Sequence, residues 1–204
     1  GVSYGSTQLI TMPGWNGNVY NGNDFGLVHL SSPIAAIPPA MLYSGTSEFG
    51  QVGTFVGSGF TGTGLTGYNV ALGNQKRAFQ NMIDGDFGLP QRVYAADFDS
   101  PHATNASGFG SVYPLLLEGC VTPGDSGGGV FIQQGSLYYL AGVISTVAYL
   151  DGSGNGSYSD ASGFGRISAA QPWINSTIGV PEPSSFALLL GAGAVMLACR
   201  FRRC

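Results

Sequence analysis

Hydrophobic residues in this chain fall into short runs that alternate with turn-rich segments. Runs of four to eight residues bounded by Gly, Pro, Asn and Ser are typical of β-strands. A longer amphipathic segment at residues 169–178, which carries Trp173 and Ile174, predicts a short helix. The pattern therefore predicts an all-β fold that ends in one helix. The predicted strands lie at residues 25–30, 53–60, 68–72, 92–96, 129–132, 136–147 and 163–167.

Composition supports short strands and excludes one class of partner. The 204 residues include 34 glycines, and only 9% of the residues are charged, which is a poor composition for long helices. The formal net charge is −4, and three of the seven basic residues, Arg200, Arg202 and Arg203, lie in the last five positions. The rest of the chain is acidic and gives no support to nucleic-acid binding. Cys120 is the one cysteine before the C-terminal tail, so we expect no disulfide in the body of the protein.

The hexapeptide Gly124–Gly129 is the strongest candidate for chemistry. It lies between two apolar runs, residues 112–117 and 130–132, which predicts a turn between two buried strands. Ser126, within this hexapeptide, would be exposed on the turn and able to act as a nucleophile. The surrounding glycines allow tight turns and leave amide groups uncovered, and such amides can stabilise an oxyanion.

Four segments together resemble the trypsin/chymotrypsin-like serine proteases. Residues 23–34, Asn-Asp-Phe-Gly-Leu-Val-His-Leu-Ser-Ser-Pro-Ile, resemble the aspartate segment of that family, and residues 124–128, Gly-Asp-Ser-Gly-Gly, resemble its serine segment. Residues 141–145, Ala-Gly-Val-Ile-Ser, are similar to the strand that lines the specificity pocket, and residues 172–174, Pro-Trp-Ile, fit the C-terminal helix. The order and spacing agree over roughly residues 8–178.

The resemblance implies a fold and a division of the chain. The family fold is a pair of six-stranded Greek-key barrels, and this chain holds too few residues before Asp24 to complete the first one. Residues 1–40 would be a remnant of the N-terminal barrel and its linker. Residues 41–178 would form the C-terminal barrel with the nucleophile and the closing helix.

The same resemblance implies roles for individual residues. Ser126 would attack the peptide carbonyl, and Asp24 would be the buried carboxylate that orients a histidine. The backbone amides of Gly124 and Ser126 would form the oxyanion hole. Asp125 would be buried and would pair with a new N-terminus after activation cleavage.

Substrate contacts are implied as well. Cys120 occupies the position that sets the base of the specificity pocket, and because it is not acidic it gives no basis for an Arg or Lys preference. The backbone edge of Ser145, Thr146 and Val147 would hydrogen-bond a peptide or protein substrate. No cofactor and no metal is predicted.

The histidine that the mechanism requires is missing from its expected place. His29 and His102 both follow Asp24, whereas the family histidine precedes the aspartate. We therefore expect that the histidine segment lies before Gly1 and that the chain as given is nearly inactive. Two alternatives stay open: a non-catalytic surface or matrix-binding protein on a protease scaffold, and an esterase that uses the same serine. Subtilisin and α/β-hydrolase patterns fit less well, because the chain lacks subtilisin-type segments and has no histidine after Ser126.

The loop that begins at Asp151 partly matches a calcium-binding loop. Oxygen-bearing side chains alternate at Asp151, Ser153 and Asn155, and Gly156 follows in the sixth position. The closing acid is absent, since the twelfth position is Ser162. The pattern therefore favours a flexible loop over a calcium site.

Residues 179–204 form a separate tail. Pro181, Glu182 and Pro183 are followed by 14 apolar residues, 186–199, and then by arginines. The run is short for a spanning helix, but its position and basic end favour a membrane segment. The tail resembles the PEP-CTERM sorting signal of Gram-negative bacteria. The resemblance implies export, anchoring in the inner membrane and cleavage near Pro181–Pro183 by an exosortase, which leaves the protein on the cell surface or outside the cell.

Overall fold

The chain is built mainly from β-strands, and a single helix follows them in the part that the structure describes. A computed structural model describes residues 2–87, 91–102 and 107–179. Contacts divide the chain into two units, Gly1–Ala170 and Gln171–Cys204, and all of the described strands belong to the first. In chain order the strands are β1 (Ser6–Thr11), β2 (Gly26–Leu30), β3 (Met41–Leu42), β4 (Val52–Gly57), β5 (Thr61–Thr63), β6 (Gly67–Asn69), β7 (Arg77–Met82), β8 (Gly85–Asp86), β9 (Val93–Asp97), β10 (Gly129–Gln134), β11 (Leu137–Ala148) and β12 (Ala161–Arg166).

One curled, half-barrel sheet dominates the fold. Its strand order is β7-β4-β10-β11-β12-β9-β8, with β3 paired in parallel to β11. β7 and β8 stand at opposite ends of this order, although only Ile83 and Asp84 separate them in the chain. Asp84 donates its amide to the Ala95 carbonyl at 3.2 Å, which draws the end of β7 towards β9. β1 pairs with β2, and β5 pairs with β6, in two small separate sheets.

The core is formed by buried side chains of several strands of this sheet. Val130 and Ile132 alternate on β10, and both are buried against β4, where Phe55 is fully buried. Phe55 stacks on Phe79 with ring centroids 4.9 Å apart and meets Phe164 edge-on at 5.8 Å. These rings cross-link β4, β7 and β12, as alternating side chains on one face of a sheet should.

The apolar run at residues 112–117 is not the buried strand that the sequence predicted. It forms an irregular loop in which Tyr113 is 78% exposed and Leu116 is 98% exposed. Pro114 has no amide to donate to a strand partner. The Leu115 amide donates instead to the Glu118 carboxylate in a short hydrogen bond, which bends the chain. Ser126 therefore has a strand, β10, on its C-terminal side only.

Helix α1 (Ile167–Ile178) confirms the helix that was predicted near residues 169–178. Gly179 follows it with φ +73°, a left-handed conformation that commonly ends helices. The predicted sorting residues Pro181, Glu182 and Pro183 lie outside the described residues. Across residues 2–87, 91–102 and 107–179, no helix combines the length and the apolar character needed to cross a membrane. The predicted boundaries at residues 40 and 178 stay predictions.

Candidate functional site

Ser126 sits on an exposed turn that glycine makes possible. Gly124 has φ +99° and Gly127 has φ +83°, and both values lie in the left-handed region that side chains with a Cβ rarely adopt. The turn leads directly into β10 at Gly129. The Ser126 hydroxyl opens onto a shallow depression of about 290 Å³, which Ser58 and Lys76 also line.

The amides of this turn fall into two groups. Those of Asp125, Gly127 and Gly128 are bonded inward, to the carbonyls of Thr122, Ile144 and Asp125 at 2.9–3.0 Å. Those of Gly124 and Ser126 make no hydrogen bond with any described residue. Backbone amides without a partner are able to bind an anion, and the oxyanion hole predicted at Gly124 and Ser126 stays a prediction.

The Asp125 carboxylate holds this turn from behind. It accepts the Gly59 amide at 2.7 Å, the Thr122 amide at 2.8 Å and the Thr122 hydroxyl at 3.2 Å. Gly57 and Gly59 are necessary here, because a Cβ at either position would overlap the Asp125 carboxylate. The predicted pairing of Asp125 with an activated N-terminus stays a prediction, since Gly1 lies outside the described residues.

Asp24 is connected to the same region through β11. Its Oδ2 accepts the Ser145 hydroxyl at 2.6 Å, and the carboxylate is half-buried. Ser145 is the extra residue of a β-bulge, because Ile144 pairs with Phe164 and Thr146 with Gly163 on β12. Bulges re-aim side chains, and this one places the Ser145 hydroxyl on Asp24. The Asp24 Oδ1 makes no hydrogen bond with the described residues and is available to orient another donor.

Ile144 joins the turn at Ser126 to the part of β11 that contacts Asp24. Its carbonyl accepts the Gly127 amide at 2.9 Å, and its amide donates to the Gly128 carbonyl at 2.9 Å. The next residue, Ser145, donates its hydroxyl to Asp24. The fold thus links the turn at Ser126 to Asp24 through β11, although the two residues lie about 100 positions apart in the sequence.

Neither histidine of the chain contacts Asp24 or Ser126 in the described structure. The His29 Nδ1 lies 2.6 Å from the Thr7 hydroxyl on the exposed β1–β2 sheet. His102 is exposed and meets the Tyr158 ring edge-on at 6.4 Å. The described residues therefore place no histidine where the predicted triad requires one.

Cys120 lies at the wall of a cavity that is larger than the depression beside Ser126. This cavity has a volume of about 440 Å³ and is also lined by Glu118, Thr122 and Asp125. Burial raises the pKa of the Cys120 thiol to about 12, so the group is a neutral thiol and not a nucleophile. Its sulfur accepts the Ser162 hydroxyl at 3.6 Å. Its role in setting specificity stays a prediction.

The backbone of Ser145, Thr146 and Val147 has one free side among the described strands. β10 pairs with β11 only as far as Val143, whereas β12 continues along the other side of β11 to Ala148. Such an edge is able to accept an extended peptide as an added strand.

An acidic cluster that the sequence did not reveal supports the segment before the turn. Asp97 accepts the amides of Gly108 and Phe109, Asp84 accepts that of Ser111, and Glu118 accepts that of Asp99. Burial raises the pKa values of Asp84 and Glu118. Burial, together with the charges of Asp97 and Glu118, raises the pKa of Asp99 to about 7.

The described residues do not group three His, Cys, Asp or Glu side chains as ligands for a metal ion. A scan against protein-family models and a search of curated proteins found no match for the chain.

Proposed function

We propose that this chain carries the nucleophile of a trypsin-like serine endopeptidase, which cleaves peptide bonds through an acyl-enzyme on Ser126. The free amides of Gly124 and Ser126 carry this proposal. In a turn whose other amides are all bonded, these two alone are left for a ligand. Loss of one such donor typically lowers the rate by about 10²–10³.

The strand order supports the barrel that the resemblance implies. If β7 and β8 are counted as one strand, the spatial order of four adjacent strands is β10, β4, β7–β8 and β9. In chain order these are the fourth, first, second and third main strands, which is the Greek-key arrangement. β11 and β12 complete a ring of six between β10 and β9.

The proposed chemistry is acyl transfer in two steps. The Ser126 oxygen forms a bond to the peptide carbonyl carbon, and its proton passes to an imidazole. The oxyanion that develops is held by the amides of Gly124 and Ser126. The imidazolium then gives the proton to the leaving amine as the C–N bond breaks, and water releases the acyl group by the reverse sequence.

The mechanism requires an imidazole, and within the described residues neither His29 nor His102 contacts Asp24 or Ser126. We assign it to a segment outside these 204 residues, positioned by the free Oδ1 of Asp24. Ser145 would fix the other oxygen of Asp24, so that the carboxylate presents one face to the histidine. The 204 residues alone should then show only the residual activity of the oxyanion hole.

We further propose that the tail at residues 179–204 is a sorting signal. The protein would be exported, held at the inner membrane and then cut by an exosortase near Pro181–Pro183. The mass of the mature protein recovered outside the cell tests this proposal. A mass that includes Arg203 contradicts it.

Peptide-bond hydrolysis by a longer protein, expressed together with the segment encoded before Gly1, tests the enzymatic proposal. We expect cleavage of unfolded protein substrates, and we expect Ser126→Ala to abolish it. Ser58→Ala is the matched control, because Ser58 is an exposed serine in the same depression. Cleavage of esters but not of peptides would favour the esterase. An inactive protein that still binds peptides would favour the non-catalytic surface protein.

A further inference from the structure

Five side-chain oxygens converge in the loop between β11 and β12. The Ser153 hydroxyl lies 2.6 Å from Asp151 Oδ1, 2.5 Å from Asn155 Oδ1 and 3.0 Å from the Ser157 hydroxyl. The Ser157 hydroxyl lies 2.7 Å from Asp151 Oδ2 and 2.6 Å from Asn155 Oδ1. Three of these five oxygens belong to uncharged side chains, and the other two belong to the single carboxylate of Asp151.

These contacts outnumber the protons that could make them hydrogen bonds. Each serine hydroxyl has one proton, and the carboxylate of Asp151 and the carbonyl end of Asn155 have none. The amide nitrogen of Asn155 points away and donates to the Thr66 carbonyl at 3.4 Å. Two protons are thus available for five close oxygen–oxygen contacts. At least three of the contacts therefore have no proton of their own, and a cation among the oxygens would hold them together.

We propose that this loop binds a calcium ion through Asp151, Ser153, Asn155 and Ser157. Calcium takes six to eight oxygen ligands and accepts neutral ones, and oxygen ligands at alternate positions followed by a sixth-position glycine are typical of its loops. Asp160 adds a second negative charge at the end of the loop. It is fully buried and accepts the amides of Leu150 and Ser157 at 2.8 and 3.1 Å.

The twelfth position of the loop is Ser162, which is not an acid, and its hydroxyl accepts the Val121 amide at 3.0 Å. Ser157 is buried, whereas Asp151 and Ser153 are exposed. Asp160, two residues earlier in the sequence than Ser162, is the acid that stands at the closing end.

The ion would also brace the wall of the larger cavity. The Asn155 carbonyl accepts the Tyr68 amide at 2.7 Å, and the Tyr158 amide donates to the Gly64 carbonyl at 2.9 Å. The loop is therefore docked on the β5–β6 hairpin, whose residues line the cavity beside Asp125.

Calorimetric titration of the full chain, freed of metal with EDTA, tests the site. We expect one saturable Ca²⁺ site with a dissociation constant on the order of 10⁻⁴–10⁻³ M, as in extracellular modules that have few charged ligands. Mg²⁺ should bind at least about tenfold more weakly, because it requires a tighter octahedral shell. Absence of saturable Ca²⁺ binding up to about 10 mM, an order of magnitude above that range, would overturn the proposal.

Two variants connect the binding to these oxygens. Asp151→Asn removes a charged ligand and should weaken Ca²⁺ binding at least about tenfold. Ser153→Ala removes a neutral ligand at an exposed position and serves if Asp151→Asn fails to fold; it should weaken binding severalfold. Asp86→Asn is the matched control, an exposed aspartate on β8, and should bind as the parent does. Unchanged affinity in a folded Asp151→Asn or Ser153→Ala protein would refute the site.

Discussion

Asp99→Asn should remove a large part of the pH dependence of stability. Asp99 is only 4% exposed, and its Oδ1 has no hydrogen-bond partner among the described residues. The carboxylates of Asp97, Glu118 and Asp84 surround it. Asparagine has the shape of the protonated acid and carries no charge, so it keeps the packing and removes the repulsion.

The sign and size follow from the pKa of this group. Folding raises the pKa of Asp99 from its ordinary 3.8 to about 7, so the folded protein binds a proton that the unfolded chain releases between these values. The free energy of unfolding must then fall as the pH rises from about 4 to about 7. A difference of about 3 pH units corresponds to about 4 kcal/mol at most. Because the neighbouring acids titrate with Asp99, we expect a gain of about 2 kcal/mol for Asp99→Asn at pH 8.

Urea unfolding at pH 4 and pH 8 measures this difference. The variant should be more stable than the parent at pH 8. The two should differ little at pH 4, which is close to the ordinary pKa of 3.8, so that little of the cost of keeping Asp99 protonated has developed. Asp86→Asn, at an exposed aspartate, controls for the loss of one negative charge. If Asp99→Asn destabilises the protein equally at both pH values, Asp99 is not a buried, protonated acid.

Three further results are expected. Glu48→Ala should lower the free energy of unfolding by about 3–5 kcal/mol, because it leaves the buried Arg166 guanidinium without the carboxylate that contacts it at 2.5 Å. A loss below about 1 kcal/mol in urea unfolding would contradict this. In a C199S/C204S background, Cys120 should resist an aromatic disulfide reagent at pH 8 until the protein is unfolded, since burial raises its pKa to about 12. Rapid labelling of the folded protein would show that the thiolate forms at pH 8 and would contradict this. If the proposed activity is present, Ser145→Ala should lower kcat/KM about tenfold with KM little changed, because Asp24 loses a charge-assisted hydrogen bond, and Ser145→Thr should restore it; an unchanged rate would remove Ser145 from the site.

The sequence predicted the elements whose pattern is local. The strands that became β4, β9, β10, β11 and β12, and the helix near Trp173, each have apolar runs bounded by turn residues. β7 was missed because residues 77–82 include Arg, Gln and Asn. The structure buries Asn81 on this strand, where its amide nitrogen donates to the carbonyls of Asp97 and Gly119. A polar residue that is satisfied by distant backbone leaves no periodic signal in the sequence.

Some residues of the candidate site were also predictable from local sequence, and others were not. Ser126, Gly124 and Asp24 were identified from short motifs, and the fold brings their segments together through Ile144. The side-chain role of Ser145 could not be predicted, because it depends on a bulge in β11. The ion pair of Glu48 with Arg166 joins positions more than 100 residues apart, and only the folded chain shows it. The acid that ends the calcium-like loop was sought at position 162, two residues beyond the buried Asp160.

Covalent labelling with a fluorophosphonate tests most directly whether Ser126 is an activated nucleophile. The protein should be labelled when it is expressed together with the segment encoded before Gly1. Peptide mapping by mass spectrometry should then place the adduct on Ser126. Ser126→Ala should then abolish the adduct, whereas Ser58→Ala should keep it. An adduct on another residue, or equal labelling of the Ser126→Ala protein, would contradict the proposed role of the turn at Gly124–Gly129.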